Sequence, residues 1–449
     1  MEENEIKEEN VLKAGFARVT VTPPLGLRIP GYYLTRISDG IIDDLHLTAI
    51  AFEKGDKKCV MFTCDCIGIK QDAYFIIREM VAQRCGIEKE AIYIACTHSH
   101  TSFRITKAEE GTGPNNTFLR WLYQKFCDAA QFAFEDLAPV TSLRHAMGEA
   151  KNIAWIRRYL MKDGTCKTNP GVGNPNVERM LDKQDESVQL IRFVREGAKE
   201  ILLMNFSTHA DVIGGTKYCA DFPGFAVRTL EGAFGGTVHA AFFNGAEGDS
   251  NQVNVFRPKG SPRKGLDISA NMGRSIAGEC LKLYYNAKIV ENTDLRYAIK
   301  TVVLPKNDFD PALEAKYRES VEHYRQNGKD DPYFKEPGNI DYVIALRVLG
   351  DWDTENFPVT VSAVAIGDIV FNGIPGEPFT VLGFEIKEKS PFPYTVVTCI
   401  TNGGEGYYPT PDAFKVNGYE RNATHFSADC VPLLVKASLE LDHELFEQK

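Results

Sequence analysis

Two histidines stand one residue apart in the run Cys96-Thr97-His98-Ser99-His100-Thr101-Ser102. On extended backbone, side chains two apart point to one face, so both imidazoles can address one site. A catalytic zinc takes about three protein ligands from histidine and carboxylate and keeps an open position for water. His98 or His100, together with His209 and Glu377, supplies such a set. His46, His145, His239, His323 and His443 lie in stretches with nothing metal-like around them. A lone histidine is more often a core or surface residue than a ligand, so His209 gains weight only from its neighbours. Spacing alone points to a metal-hydrolase crevice and no further.

The elements that must hold these residues read as an α/β domain: a mixed β-sheet core with flanking helices and the site at the carboxyl ends of the strands. Strands are expected over Val60 to Thr63, Ala91 to Ala95, Ile201 to Phe206, Val238 to Phe243 and Thr395 to Ile400, with a hairpin from Val359 to Ile366 and Ile369 to Asn372. Helices are expected at 71–84, 117–136, 224–233, 267–286, 310–326 and 431–446. Polar, reactive residues follow the strands directly: Thr97 to Ser102, Ser207 to Asp211, Asn244 to Asn251, Pro375 to Pro378, and Thr401 to Tyr408. Ligands bind at such strand ends in α/β sheets, where loops converge on one crevice. Residues 1–10 read as a disordered tail and 11–449 as one domain, with a polar surface insertion near 306–340. No HExxH, GxSxG, phosphate loop or dinucleotide fingerprint is present.

Composition sets the outer bounds. The chain is 43% hydrophobic and 25% charged, which is globular rather than disordered or fibrous. Its net charge of −10, from 51 basic and 61 acidic residues, disfavours a nucleic-acid partner and docking on an anionic membrane. Apolar runs such as Thr360 to Ile366 fall well short of the roughly 20 residues a membrane helix needs. The start, Met1-Glu2-Glu3-Asn4-Glu5, is acidic where a secretory leader is basic, so a cytoplasmic location is expected. The 11 cysteines are scattered and odd in number, without a CxxC pair, which suits reduced thiols in a core. Cys64-Asp65-Cys66 reads as packing rather than a metal site.

The sequence resembles the neutral/alkaline ceramidase family over nearly its whole length from Ala14 on. Gly15 to Gly26 looks like the family's opening strand and Thr-Pro-Pro turn, and Thr97 to Thr101 is similar to its Thr-His-Thr-His-Ser signature. Phe206 to His209 matches its second histidine strand. Pro375-Gly376-Glu377 with Phe379-Thr380 looks like its Pro-Gly-Glu-Phe-Thr segment. Tyr408-Pro409-Thr410 with Gly418-Tyr419-Glu420 is similar to its Tyr-x-Thr-Thr and Tyr-Glu motifs.

The resemblance implies an amidohydrolase that cleaves an N-acyl bond with one zinc ion. Carried over by position, it makes His98, His209, Glu377 and Tyr408 the zinc ligands and gives His100 a part in activating or stabilising the reacting group. Arg157, preceded by Ile156 where the family has asparagine, and Tyr407 are implied substrate-binding residues. Ceramidases carry Gly-Asp-x-Ser-Pro-Asn with the serine as nucleophile. This chain reads Gly248-Asp249-Ser250-Asn251-Gln252, so the aligned position holds Asn251 and Ser250 falls one residue early. An amide side chain is neither basic nor readily ionised. Water activated by the metal is then the expected nucleophile, with Asp249 or His100 moving the proton and Ser250 in a positioning role. The family's longer members add an Ig-like C-terminal domain and are secreted. This chain is read as lacking that domain, and a small soluble amide is expected beside the lipid-like amides of the family. Two alternatives stay open: the same zinc site acting on an ester or lactone, and a non-catalytic metal- or ligand-binding protein. Glu247, Asp249 and Asp211 keep acid/base capacity near the site, which favours an enzyme.

Overall fold

The unbroken apolar runs in this chain arise because several strands are buried on both faces. In Glu200–Phe206, Ile201 and Leu203 point into a core between two sheets, while Leu202, Met204 and Phe206 point the other way, under helices. Val238–Asn244 repeats the pattern with Ala241 and Phe243 against Ala240 and Phe242. These alternations describe a layered molecule: helices, a large sheet, a second sheet, and helices again. The structure is a computed structural model and describes residues 10–32, 35–307, 311–328, 331–336, 342–350, 354–404, 406–416 and 418–448.

The large sheet has nine strands, ordered Val238–Asn244, Glu200–Phe206, Ser187–Arg195, Ala138–Glu149, Lys13–Thr20, His46–Lys54, Lys57–Cys64 and Ile92–Cys96, with Lys288–Ile289 added beside Ala138–Glu149. Its interior pairings are antiparallel, but the pair at each end is parallel, with Phe206 opposite Asn244 and Cys64 opposite Cys96. The second sheet runs Leu295–Pro305, Asn356–Ile366, Ile369–Gly373 and Tyr394–Thr398, and its last pair is parallel too. A parallel pair needs a crossover. Helices Gln71–Cys85, Asp221–Ala233 and Thr380–Lys389 supply the three.

Helices Gln71–Cys85 and Pro114–Glu135 cover one part of the large sheet through Ile77, Leu119, Leu122 and Phe126. Removing one such side chain, as in Phe126→Ala, costs about 3–5 kcal/mol in a packed core. Asp221–Ala233 and Leu266–Tyr284 cover another part of that sheet, and Thr380–Lys389 with Cys430–Glu447 cover the second sheet. The expected α/β class, the mixed sheet and the flanking helices are therefore present. The expected elements lie within a few residues of those found, including Pro311–Asn327 for 310–326. That helix meets Tyr342–Gly350 in a small core of its own, Tyr317, Val321, Ala345 and Val348. Positions 308–310, 329–330 and 337–340 of the expected insertion, and 1–9 of the expected tail, lie outside the described residues. Among the described residues no helix is long and apolar enough to cross a membrane.

The three crossovers matter because their strand ends meet. Asn244, buried at the end of Val238–Asn244, joins all of them. Its side-chain amide donates to the carbonyls of Thr97 (3.1 Å) and Thr208 (3.0 Å), and its own carbonyl accepts from the Cys399 N–H at 3.0 Å. The loops bearing His98 and His209 are thus pinned beside the loop that leaves the second sheet.

Candidate active site

His98 and His209 are each held from behind. His98 follows the Ile92–Cys96 strand in left-handed backbone, φ 65°, a conformation that costs a non-glycine residue on the order of 1–3 kcal/mol. Its N–H donates to Cys66 O at 3.1 Å, and its Nδ1 lies 2.7 Å from Ile67 O. The His209 Nδ1 lies 2.8 Å from Glu247 O and also touches the Glu247 carboxylate. A ring nitrogen facing a carbonyl must carry the proton, so in both rings the opposite nitrogen, Nε2, is the bare one. His98 and His100 were expected to converge along extended backbone. They do converge, with their Nε2 atoms 3.2 Å apart, but through this left-handed turn.

The carboxylate comes from a short ladder that follows the second sheet. Glu377–Pro378 forms a short parallel ladder with Tyr407–Tyr408, in which Glu377 pairs with Tyr407 and Pro378 with Tyr408. Neighbours along a strand face opposite sides. Glu377 Oε2 accordingly reaches to 3.2 Å from His209 Nε2 and 3.6 Å from His98 Nε2, and the Tyr407 hydroxyl to 3.5 Å from His209 Nε2. Tyr408 points away into the core, its ring 5.0 Å from that of Phe426. The tyrosine expected to face the imidazoles was Tyr408; it is Tyr407 that faces them, and Tyr408 does not. Gly248 lets the two halves close. A Cβ there would stand 2.4 Å from Glu377 O, and its N–H donates to Pro378 O at 2.8 Å.

Two bare nitrogens and a carboxylate oxygen turned toward one another are mutually repulsive unless a cation lies among them. Ligand atoms of His98, His209, Glu247 and Glu377 all fall within 4.8 Å of one another, and so do those of His98, His100 and His209. All five residues are buried, and the Glu247 carboxylate faces His209 Nδ1. Burial works against a charged His209, yet the adjoining Glu247 and Glu377 carboxylates outweigh it and raise its imidazolium to about 9. A proton is thus the smallest cation that relieves this site; a divalent ion with imidazole and carboxylate ligands suits it better. Burial pushes His100 down, with Asp211 partly opposing, so its ring is neutral near pH 7. Its Nδ1 stands 3.9 Å from Asp211 Oδ1.

The remaining expected residues are distributed differently. The Asp249 carboxylate accepts from the Thr380 N–H (2.8 Å) and hydroxyl (2.7 Å), anchoring the start of Thr380–Lys389 rather than facing the imidazoles. Its burial raises it to about 6. Ser250 Oγ donates to Gln184 Oε1 at 2.6 Å and also meets Thr208 Oγ1 at 3.1 Å. Asn251 Nδ2 donates to Asn169 Oδ1 at 2.9 Å. Neither side chain makes a hydrogen bond to the ring nitrogens or to Glu377. Arg157 lies behind the tyrosines: its guanidinium is 5.3 Å from the Tyr407 ring and 5.8 Å from that of Tyr419, with Nε donating to Glu420 at 2.8 Å. Three contributors were not read from the sequence as parts of the ligand cluster or its support. Glu247 was noted only for acid/base capacity, Tyr419 only as part of a motif, and Asn244 only as a loop residue. The two-residue alternation from Glu377 to its partner strand was the missed signal for the tyrosine.

A cleft of about 600 Å³ opens over His98, His100, Glu377, Tyr407 and Tyr419, within the range of small-molecule sites. No family profile matches this chain, and no curated protein matches it in sequence. Solved structures do. The neutral ceramidase from Pseudomonas aeruginosa superposes with a TM-score of 0.70 at 16% identity, over 97% of this chain and 75% of that one. The fold is that of neutral ceramidase. A ceramidase complexed with C2 gives the same score at 15% identity, over 98% and 76%. The motif resemblance and the ceramidase fold thus agree over almost the whole chain.

Proposed function

We propose that this protein is a zinc-dependent hydrolase of an amide (N-acyl) bond. The observation that carries the reading is the convergence of the bare Nε2 atoms of His98 and His209 on Glu377 Oε2 at the floor of the cleft. His98, His209 and Glu377 would hold the metal, with the Tyr407 hydroxyl beside them. Zinc supplies Lewis acidity for the amide carbonyl and lowers the pKa of water to about 7. His100, neutral and next to His98, holds or releases the proton at Nε2. Arg157 fixes Tyr407 from behind. Because the Ser250 hydroxyl is committed to Gln184 and Thr208, the attacking oxygen comes from water.

Elemental analysis of the purified protein, with turnover of matched N-acyl, ester and lactone substrates, tests the proposal. About one zinc per chain and amide cleavage abolished by chelation are expected. Ester or lactone turnover without amide turnover would overturn the bond assignment, and full activity after exhaustive chelation would overturn the metal.

A further inference from the structure

A second cavity, of about 260 Å³, lies where helix Leu266–Tyr284 begins, between its first turns, Trp155 and the loop from Gln252 to Arg263. It shares no described lining residue with the cleft over the imidazoles. Gln252 decides its character. That side chain is 6% exposed, and its amide donates to Arg263 O at 2.9 Å and to Asp211 O at 3.4 Å. Both partners are carbonyls, so Nε2 must face them. Its other end, Oε1, is left buried with no hydrogen-bond partner among the described residues, a state that asks for a donor from outside the chain. The groups around it are of both hydrogen-bonding kinds. Asn254 Oδ1 accepts from the Phe256 N–H at 2.9 Å, which leaves its Nδ2 as a donor. Asp267, Arg257 and Arg263 also line the cavity, and none of the three is in an ion pair among the described residues. The Asn271 side chain has no hydrogen bond among them either.

We propose that this cavity binds one ring of a neutral sugar. An anion would answer the arginines, but it would also face Gln252 Oε1 and the Asp267 carboxylate, which can only accept. An apolar ligand would leave every one of these groups bare. A hydroxyl both donates and accepts, so a ring of hydroxyls donates to Gln252 and Asp267 and accepts from Asn254 and the guanidiniums. Half-buried Trp155 offers aromatic surface to the C–H groups of the ring. The volume lies just below the roughly 300–1,000 Å³ of drug-sized sites, which suits a single ring. This site stands apart from the hydrolase reading and does not depend on it.

Calorimetric titration of the whole protein with D-glucose, D-galactose, D-mannose and D-xylose tests this, with tryptophan fluorescence as a second readout. Inorganic phosphate and adenosine are the anion and flat-ring controls. At least one sugar is expected to bind with a dissociation constant on the order of 1 mM or tighter. Asn271→Ala and Arg263→Ala, both at exposed positions, should each weaken that sugar roughly fivefold to tenfold, as for one lost hydrogen bond. The chain has 3 tryptophans, and Trp155→Phe should abolish the fluorescence response to the sugar. Absence of sugar binding would overturn the proposal, as would binding of phosphate or adenosine alone. Sugar binding that Asn271→Ala and Arg263→Ala both leave unchanged would overturn it too, by placing the sugar elsewhere. None of these readouts involves amide cleavage, so failure of the hydrolase reading leaves the test intact.

Discussion

The two sheets contribute unequal halves of the site. The nine-stranded sheet brings His98, His209 and Glu247 on loops that leave parallel strands, each ring locked by a carbonyl behind it. Past the end of the four-stranded sheet, a two-stranded ladder brings both Glu377 and Tyr407, and strict alternation there decides which side chain looks inward. In the first half, hydrogen bonds to individual ring atoms fix the geometry. In the second half, register fixes it. An error in reading the first half would rotate a ring, whereas a one-residue error in the second exchanges a side chain that faces the imidazoles for a core residue. That exchange separates Tyr407 from Tyr408.

The largest expected effect comes from the first half. His98→Ala and His209→Ala should each lose metal on purification and lower turnover roughly 10³-fold or more, since each would remove one of the two imidazoles that converge on Glu377. Metal content of the folded variants is the measurement, and wild-type stoichiometry in both would break the assignment. The second half is sharpened by a pair of variants one residue apart. Tyr407→Phe should cost about 100-fold in kcat, as for loss of one group aimed at the reacting centre. Tyr408→Phe should leave kcat within about threefold and cost about 1 kcal/mol of stability. Equal effects of the two variants would mean that the ladder does not set the site.

The seam between the halves gives the next test. Asn244→Ala leaves the Thr97 and Thr208 carbonyls without their donor in a buried place. Each unsatisfied group costs about 1–3 kcal/mol, so about 2–6 kcal/mol is expected in denaturant unfolding. Stability within 1 kcal/mol of the parent would show that the strand ends need no such pin.

Much of this was legible in the sequence. Strands buried on both faces announce themselves as apolar runs, which is why Ile201 to Phe206 and Val238 to Phe243 were readable, and the polar residues after them marked the crevice. His98, His209 and Glu377 follow from that placement and from the family-like motifs. What the sequence did not carry is side-chain direction over short irregular segments. Tyr407 and Tyr408 are chemically identical, so only the ladder distinguishes them. Asp249 looks like an acid beside a site until Thr380 is seen to occupy it. Glu247 gains its place only once His209 is turned toward it by the fold.

The smallest expected effect concerns Ser250, which sits where the two halves meet and could be mistaken for a nucleophile. Its Oγ is committed to Gln184 and Thr208, on the side of the chain that pairs with Ile156. To attack a carbonyl above the imidazoles it would have to break both contacts and leave Gln184 Oε1 buried without a donor. Loss of a covalent nucleophile lowers turnover by about 10⁴ to 10⁶. Loss of a supporting hydrogen bond of about 1 kcal/mol lowers it roughly fivefold to tenfold. Ser250→Ala is therefore expected to keep its zinc and to retain activity within about tenfold of the parent, with a stability loss of about 1–2 kcal/mol from the unpaired Gln184 carbonyl. A zinc-loaded, folded variant with no detectable turnover would show that the serine does attack, and that the loop from Gly248 to Asn251 rearranges when substrate binds.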